Sequence, residues 1–118
     1  MAHLLLIELP GGNDFDLIQA AVKQQHSFVF LTQDLQIYRN NPEIFYWVSQ
    51  AQSLIEIPDF QFHTVASSVQ MSHEKNPFDA LMCLLDIRLV IAAQLANLLG
   101  LRYLNPTSAL LQIGRAHV

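Results

Sequence analysis

The sequence is poor in basic residues and has a single cysteine, and both shortages exclude functions. Its six Lys and Arg residues are scattered along 118 positions, and the net charge is −4. With no basic stripe to neutralise phosphates, nucleic acid is not an expected partner. Cys83 has no partner for an internal disulfide, and its place inside an apolar run indicates a small core residue in a reducing compartment.

Long hydrophobic runs and export signals are also lacking. The longest apolar stretch, Leu89 to Leu101, carries Gln94 and Asn97 and is too short to span a bilayer. The opening residues lack the basic start and the long apolar segment of a signal peptide. We therefore expect a cytoplasmic protein with no membrane contact. A hydrophobic share of 52% against 14% charged residues indicates a well-buried globular domain.

Short apolar runs alternate with amphipathic segments along most of the chain. The runs predict buried strands at Leu4–Leu9, Ser27–Thr32, Ser53–Ile57, Ala80–Leu85 and Leu101–Leu104. Helical spacing predicts helices over residues 14–25, Pro42–Ala51, Phe60–Gln70 and Ile87–Leu99. Asp86 is expected to cap the start of the last helix, and Gly100 is expected to end it. The polar stretches are predicted to be loop or turn, at Gln33–Asn41 and Met71–Pro77.

This alternation predicts an α/β domain, Rossmann-like and three-layered, with a mostly parallel sheet of about five strands. Ligands of such sheets collect beyond the carboxyl ends of the strands. In this sequence those ends are Pro10-Gly11-Gly12, Thr32, Pro58-Asp59 and Asp86-Ile87-Arg88.

The glycine turn after the first strand is one candidate site. Gly11 and Gly12 could let backbone N–H groups approach a ligand at the start of the first helix. The full dinucleotide fingerprint is absent, because Phe15 occupies the position of its last glycine. A tight strand-to-helix turn with no ligand is therefore the alternative interpretation.

Asp86 and Arg88 form the second candidate site, at the end of the fourth strand. Arg88 could hold a substrate carboxylate in a forked contact, and Asp86 could orient Arg88 or accept from a substrate amine. The alternative is structural, with Asp86 capping the helix and Arg88 pairing with it or with another domain. No metal ligand is predicted, because His63 and His73 are ten residues apart and have no cysteine or second ligand at zinc spacing. No catalytic residue is predicted either.

Three segments resemble a known family. They are LIELPGG at residues 6–12, VFLTQDLQIY at residues 29–38 and PFDALMCLLDIRLVIAAQLANLLGLRYLNPTSALL at residues 77–111. Their order and spacing resemble the N-terminal domain that precedes the ATP-grasp fold in carboxylate–amine ligases. The resemblance covers nearly the whole chain as far as Leu111.

The resemblance implies a parent enzyme that uses ATP to convert a carboxylate to an acyl phosphate, which an amine or another nucleophile then attacks. ATP and Mg²⁺ would be bound mainly outside this chain, by the missing ATP-grasp domains in cis, and none is expected in the fragment. A small carboxylate is the expected substrate. The fragment alone is expected to be inactive.

The last residues depart from the family pattern. Ile113-Gly114-Arg115-Ala116-His117-Val118 can be encoded by a sequence that reads like a common sequencing adapter. We therefore expect a native domain over residues 1–112 and a non-native tail over residues 113–118.

Two other functions are open on the sequence alone. One is a stand-alone small-anion-binding or regulatory module of flavodoxin-like shape, with its ligand at residues 10–12 and 86–88. The other is a dimerising scaffold without a ligand, in which a homodimer is the functional unit. Both predict a native stop near Val118, whereas the ligase predicts a longer reading frame.

Overall fold

A computed structural model describes residues 2–9, 16–83 and 85–104 of the chain. Within these residues the chain forms five strands: β1 (His3–Ile7), β2 (Ser27–Thr32), β3 (Ser53–Glu56), β4 (Ala80–Cys83) and the three-residue β5 (Arg102–Leu104). The helices are α1 (Asp16–Lys23), α2 (Leu35–Arg39), α3 (Pro42–Val48), α4 (Phe62–Lys75) and α5 (Leu89–Leu99). A short 3-10 turn, Asp86–Arg88, leads from β4 into α5.

The strands form one parallel sheet in the order β3-β2-β1-β4-β5. Its central strand, β1, pairs on one side with β2, where Leu5 lies opposite Val29, and on the other with β4, where Leu5 lies opposite Leu81. All five residues of β1 are buried, as expected for a strand covered on both faces. The predicted Rossmann-like α/β class is confirmed.

Alternation along the strands separates two hydrophobic cores, one on each face of the sheet. Leu4, Leu6 and Phe30 pack with residues of α1, α2 and α3 on one face. Leu5, Ile7 and Val29 pack with residues of α4 and α5 on the other. Helices therefore cover both faces in the three layers that the sequence predicts. Cys83 is fully buried in the second core, which confirms its interpretation as a core residue.

The loop predicted for Gln33–Asn41 is wrong, because its centre forms α2. The Asp34 carboxylate accepts a hydrogen bond from the N–H of Gln36 at 3.0 Å and caps the helix. Leu35 and Tyr38 share one face and are both buried. Two apolar anchors on a five-residue helix make too short a pattern to register as helical periodicity.

The turn predicted for Met71–Pro77 is also wrong over most of its length, because α4 continues to Lys75. The buried anchors of this helix, Val65, Ala66 and Val69, lie within its first eight residues, and the six that follow are largely polar. The periodic signal therefore disappears about two turns before the helix ends.

Asp86 is not the capping residue of the last helix. It opens the 3-10 turn, and α5 begins only at Leu89, with Arg88 in the N-cap position and no side-chain cap bond. The predicted end is confirmed, since Gly100 has φ = 67° in the left-handed region that glycine tolerates best. The strands β1, β3 and β4 end one or two residues earlier than the apolar runs suggest. No helix in the described part of the chain has the length and apolar character needed to cross a membrane.

A buried histidine lies at the amino edge of the sheet. The His3 ring stacks on Phe78 with 5.0 Å between centroids, and its Nδ1 lies 2.7 Å from the hydroxyl of Ser27. Its Nε2 is buried without a hydrogen-bond partner. Burial lowers the pKa of His3 below its ordinary value of 6.5, and the nearby carboxylate of Asp79 opposes that shift only in part. Burial also lowers the pKa of the neighbouring His26.

We expect the stability of the protein to fall as pH drops below about 6.5, the pKa of unfolded histidine. Below that pH the unfolded chain binds protons at His3 and His26 that the folded chain resists, so protonation favours unfolding. Urea midpoints between pH 8 and pH 5 measure the effect. His3→Phe keeps the stacking on Phe78 and should flatten the profile. A His3→Phe profile as steep as that of the wild type would contradict the assignment.

Candidate functional site

The strand order changes direction between β1 and β4, and a cleft opens beyond their carboxyl ends. The chain passes from β1 to β2 and β3 on one side of the sheet, and later from β4 to β5 on the other. Such a switch point leaves a crevice where ligands of doubly wound sheets bind. The cleft has a volume of about 650 Å³ and is lined by Glu8, Leu9, Gln33, Asp34, Ile37, Tyr38, Pro58, Leu85, Ile87 and Arg88.

Glu8 lines this cleft and lies directly after β1. Its backbone has φ = 52°, a left-handed conformation uncommon for a side chain of this size, and its N–H donates to Leu31 O at 2.9 Å. Its carboxylate Oε2 accepts from the hydroxyl of Thr32 at 2.8 Å and from the N–H of Gln33 at 3.1 Å. The ends of β1 and β2 are thereby joined through one buried carboxylate.

Arg88 reaches the same carboxylate from the 3-10 turn after β4. Its Nε lies 2.9 Å from Glu8 Oε1, and its Nη2 donates to Gln33 Oε1 at 3.3 Å. The guanidinium carbon lies 3.7 Å from the centroid of the Phe60 ring, a cation–π contact. The Glu8 side chain is 9% exposed and that of Arg88 20%. Glu8 and Arg88 therefore form a largely desolvated ion pair across the switch point.

Helix α2 forms a second wall of the cleft and is fastened at two points. The hydroxyl of Tyr38 donates to Leu9 O at 3.0 Å and accepts from the Leu9 N–H at 3.1 Å. At the start of the helix, the N–H of Leu35 donates to Glu56 Oε2 at 2.8 Å. Burial raises the pKa of Tyr38, so the phenol keeps its proton for the bond to Leu9.

The charges of the cleft do not favour a simple anion site. The positive charge of Arg88 is balanced by Glu8, and Asp34 adds a further carboxylate to the lining. An anion would have to compete with Glu8 or bind the outer edge of the guanidinium. What the arrangement offers is a fixed, stacked guanidinium whose orientation is set by Glu8, Gln33 and Phe60.

The structure describes only some of the predicted site residues. Gly11 and Gly12 lie outside the described residues, as does the side chain of Asp86. Arg88 lies in the cleft, at the end of the strand from which it was inferred. No three His, Cys, Asp or Glu side chains gather as potential metal ligands within the described ranges.

Glu8, Gln33 and Phe60 are functional candidates that the sequence did not reveal. Glu8 did leave a signal, as the single charged residue directly after a fully apolar strand and at its carboxyl end. Its pairing with Arg88 links residues 80 positions apart and follows from the placement of β1 beside β4. The contact between Phe60 and Arg88 is likewise set by the tertiary fold.

Sheet order, layers and switch-point cleft define a doubly wound, Rossmann-like α/β domain. Comparison with known protein families and with curated proteins finds no match. Comparison with solved structures finds this fold in the crystal structure of an L-amino acid ligase from Bacillus licheniformis. The similarity covers 89% of this chain with a TM-score of 0.69 and 20% sequence identity. The chain spans only 25% of that ligase, so the likeness is one of fold over a quarter of the enzyme.

Proposed function

We propose that this chain is the N-terminal, substrate-side domain of an ATP-dependent ligase that joins a carboxylate to an amine or another nucleophile. The observation that carries the proposal is the similarity of its fold, over 89% of its length, to a quarter of an L-amino acid ligase. The resemblance of residues 77–111 to the domain preceding the ATP-grasp fold supports the same assignment independently of the coordinates.

In the proposed reaction the γ-phosphoryl group of ATP passes to a carboxylate oxygen, which gives an acyl phosphate and ADP. The amine then attacks the acyl carbon and displaces inorganic phosphate. ATP and Mg²⁺ belong in this proposal to the domains beyond this chain, where the metal would balance the charge of the phosphates. The reaction would take place in the cytoplasm.

The cleft beyond β1 and β4 is the proposed substrate-side surface. Arg88 is the candidate contact for the substrate carboxylate, with the backbone of Gly11 and Gly12 and the side chain of Asp86 as further candidates. Three contacts of Arg88 support its role, because a guanidinium held by Glu8, Gln33 and Phe60 meets a carboxylate with little loss of side-chain entropy.

The proposal is tested by following the native reading frame past Gln112 and expressing both the 118-residue chain and the longer product. ADP formation is measured with Mg²⁺, ATP and paired pools of carboxylic acids and amines. We expect ADP release from the longer protein that requires both an acid and an amine, and none from the short chain. A native stop at Val118, or a folded longer protein that releases no ADP with any pair, would overturn the assignment.

A further inference from the structure

Two histidines fasten the start of β1 at the amino edge of the sheet, opposite the edge that carries the cleft. The Nδ1 atom of His26 accepts a hydrogen bond from the Ala2 N–H at 2.9 Å. His3, the first residue of β1, is 6% exposed, and its Nδ1 lies 2.7 Å from the Ser27 hydroxyl. The Ser27 N–H donates to the Ala2 carbonyl at 3.0 Å. The first residues of β1 are thereby tied to the start of β2 through two imidazole rings.

A second set of contacts ties the same residues to the turn before β4. The Asp79 carboxylate accepts from the His3 N–H at 2.8 Å, and the Asp79 N–H donates to the His3 carbonyl at 2.7 Å. The ring of Phe78 stacks with that of His3 at 5.0 Å and with that of His73 at 5.8 Å. The Nδ1 atom of His73 accepts from the Phe78 N–H at 3.0 Å. Three histidines therefore take part in joining the starts of β1, β2 and β4.

The position of the His26 ring is set by the end of α1. The Gln25 N–H donates to Val22 O and the His26 N–H to Ala21 O, both at 3.0 Å, and Gln25 has φ = 63°. These two bonds and the left-handed residue form a Schellman motif in which glutamine stands where glycine is usual. A left-handed residue other than glycine persists only where the surrounding structure holds it. The backbone therefore fixes the residue that accepts from Ala2.

Both rings hold the start of β1 as neutral imidazoles. A protonated His26 would carry hydrogen on both nitrogens and could not accept from the Ala2 N–H. The Nε2 atom of His3 is buried without a partner, so a protonated ring would leave an N–H donor and a charge in the interior. We propose that His3 and His26 form a proton-operated latch, which holds the start of β1 in neutral solution and releases it in mildly acidic solution while the rest of the sheet stays folded.

The electrostatic surroundings of the two rings give the latch its direction. Burial lowers the pKa of both histidines, the Asp79 carboxylate opposes this shift at His3, and the positive amino terminus of the chain adds to it at His26. A lowered pKa in the closed state means that protons bind more readily to the released rings, so acid favours release. Exposed charged side chains also lie on the adjoining ends of α1 and α4, namely Lys23, Glu74 and Lys75.

Release at this edge does not require the sheet to unfold. Leu4 to Ile7 pair with β2 and with β4 and pack into the two cores, whereas Ala2 and His3 lie at the end of the strand. Opening a strand end exposes little apolar surface and costs less free energy than global unfolding. The latch contacts lie at the edge away from the cleft, so they are the same whether or not the chain belongs to a ligase.

Hydrogen exchange at the His3 and Asp79 amides measures the release, because both N–H groups make bonds that hold the start of β1. Protection factors, which are corrected for the intrinsic exchange rate, are compared at pH 7.5 and pH 5.5. A histidine that gains its proton only on release raises the opening constant about tenfold between these pH values. We therefore expect the protection of both amides to fall about tenfold or more. Low concentrations of urea should leave this exchange unchanged and speed that of Leu5 and Phe30, because only global unfolding exposes much surface.

Two substitutions that cannot titrate separate the latch from other effects of pH. His26→Asn supplies a carbonyl oxygen that accepts an N–H at either pH, and His3→Phe keeps the stacking on Phe78 without a ring nitrogen. Each single variant should reduce the fall in protection between pH 7.5 and pH 5.5, and the double variant should abolish it. Melting temperatures at pH 7.5 are checked first, and the second single variant keeps the test valid if the first misfolds.

Three results would overturn the latch. One is equal protection of the His3 and Asp79 amides at the two pH values. Another is a double variant whose amides lose as much protection in acid as those of the wild type. The third is edge exchange that responds to urea as steeply as exchange at Leu5 and Phe30, because the edge would then open only when the whole domain unfolds.

Discussion

Glu8→Gln should lower the free energy of unfolding by about 2–4 kcal/mol, because it breaks a largely buried ion pair. The change keeps the size of the side chain but removes the charge that balances Arg88. Breaking a buried ion pair costs about 3–5 kcal/mol, and the fifth of Arg88 that stays exposed moderates that cost. Glu8→Gln also replaces a carboxylate that accepts hydrogen bonds from the Thr32 hydroxyl and from the Gln33 N–H.

The loss corresponds to a fall in melting temperature of roughly 10–20 °C for a domain of this size. Calorimetry or urea unfolding measures it, with exposed Glu74→Gln as a matched control that should change stability by less than about 0.5 kcal/mol. Combining Glu8→Gln with Arg88→Gln should cost less than the sum of the two single changes, because the double variant leaves no unpaired charge. A strictly additive cycle would show that the pair is not coupled.

The layered fold was predictable because its three inner strands, β1, β2 and β4, are predominantly apolar runs. β1, β2 and β4 are buried on both faces, and such strands stand out from polar helix surfaces without further information. Gly100 was equally readable, since a glycine after an apolar helix usually marks a left-handed end. Both features depend only on residues that are adjacent in the sequence, so they can be predicted without knowledge of the tertiary fold.

The contents of the site were much less predictable. Arg88 was inferred from its position after a strand, but its partners come from the residue after β1, from the start of the loop after β2 and from the segment before α4. The strand order determines which residues meet at the switch point. No local sequence pattern predicts the order β3-β2-β1-β4-β5. The short helix α2 was missed for a related reason, because tertiary contacts of Leu35 and Tyr38 stabilise it more than its own sequence does.

The second large effect is expected at Tyr38, the residue through which α2 is fixed to the end of β1. The ring is buried and meets Phe30 edge to face at 5.0 Å, and its hydroxyl satisfies both the N–H and the carbonyl of Leu9. Tyr38→Phe should cost about 1–3 kcal/mol, because two buried backbone groups lose their partner. Tyr38→Ala adds a cavity and should bring the total to about 3–5 kcal/mol.

Urea unfolding of the two variants measures these losses, and exposed Tyr46→Phe is the matched control, with no expected change. Hydrogen exchange at the Leu9 amide supplies a local readout, since that N–H should open faster in Tyr38→Phe while amides in the centre of β1 change only with global stability. If the Leu9 amide keeps its protection, the hydroxyl does not fasten the strand end. In that case α2 is held by packing against Phe30 and by the bond from the Leu35 N–H to Glu56, and the position of Glu8 is set by Thr32, Gln33 and Arg88 without help from Tyr38.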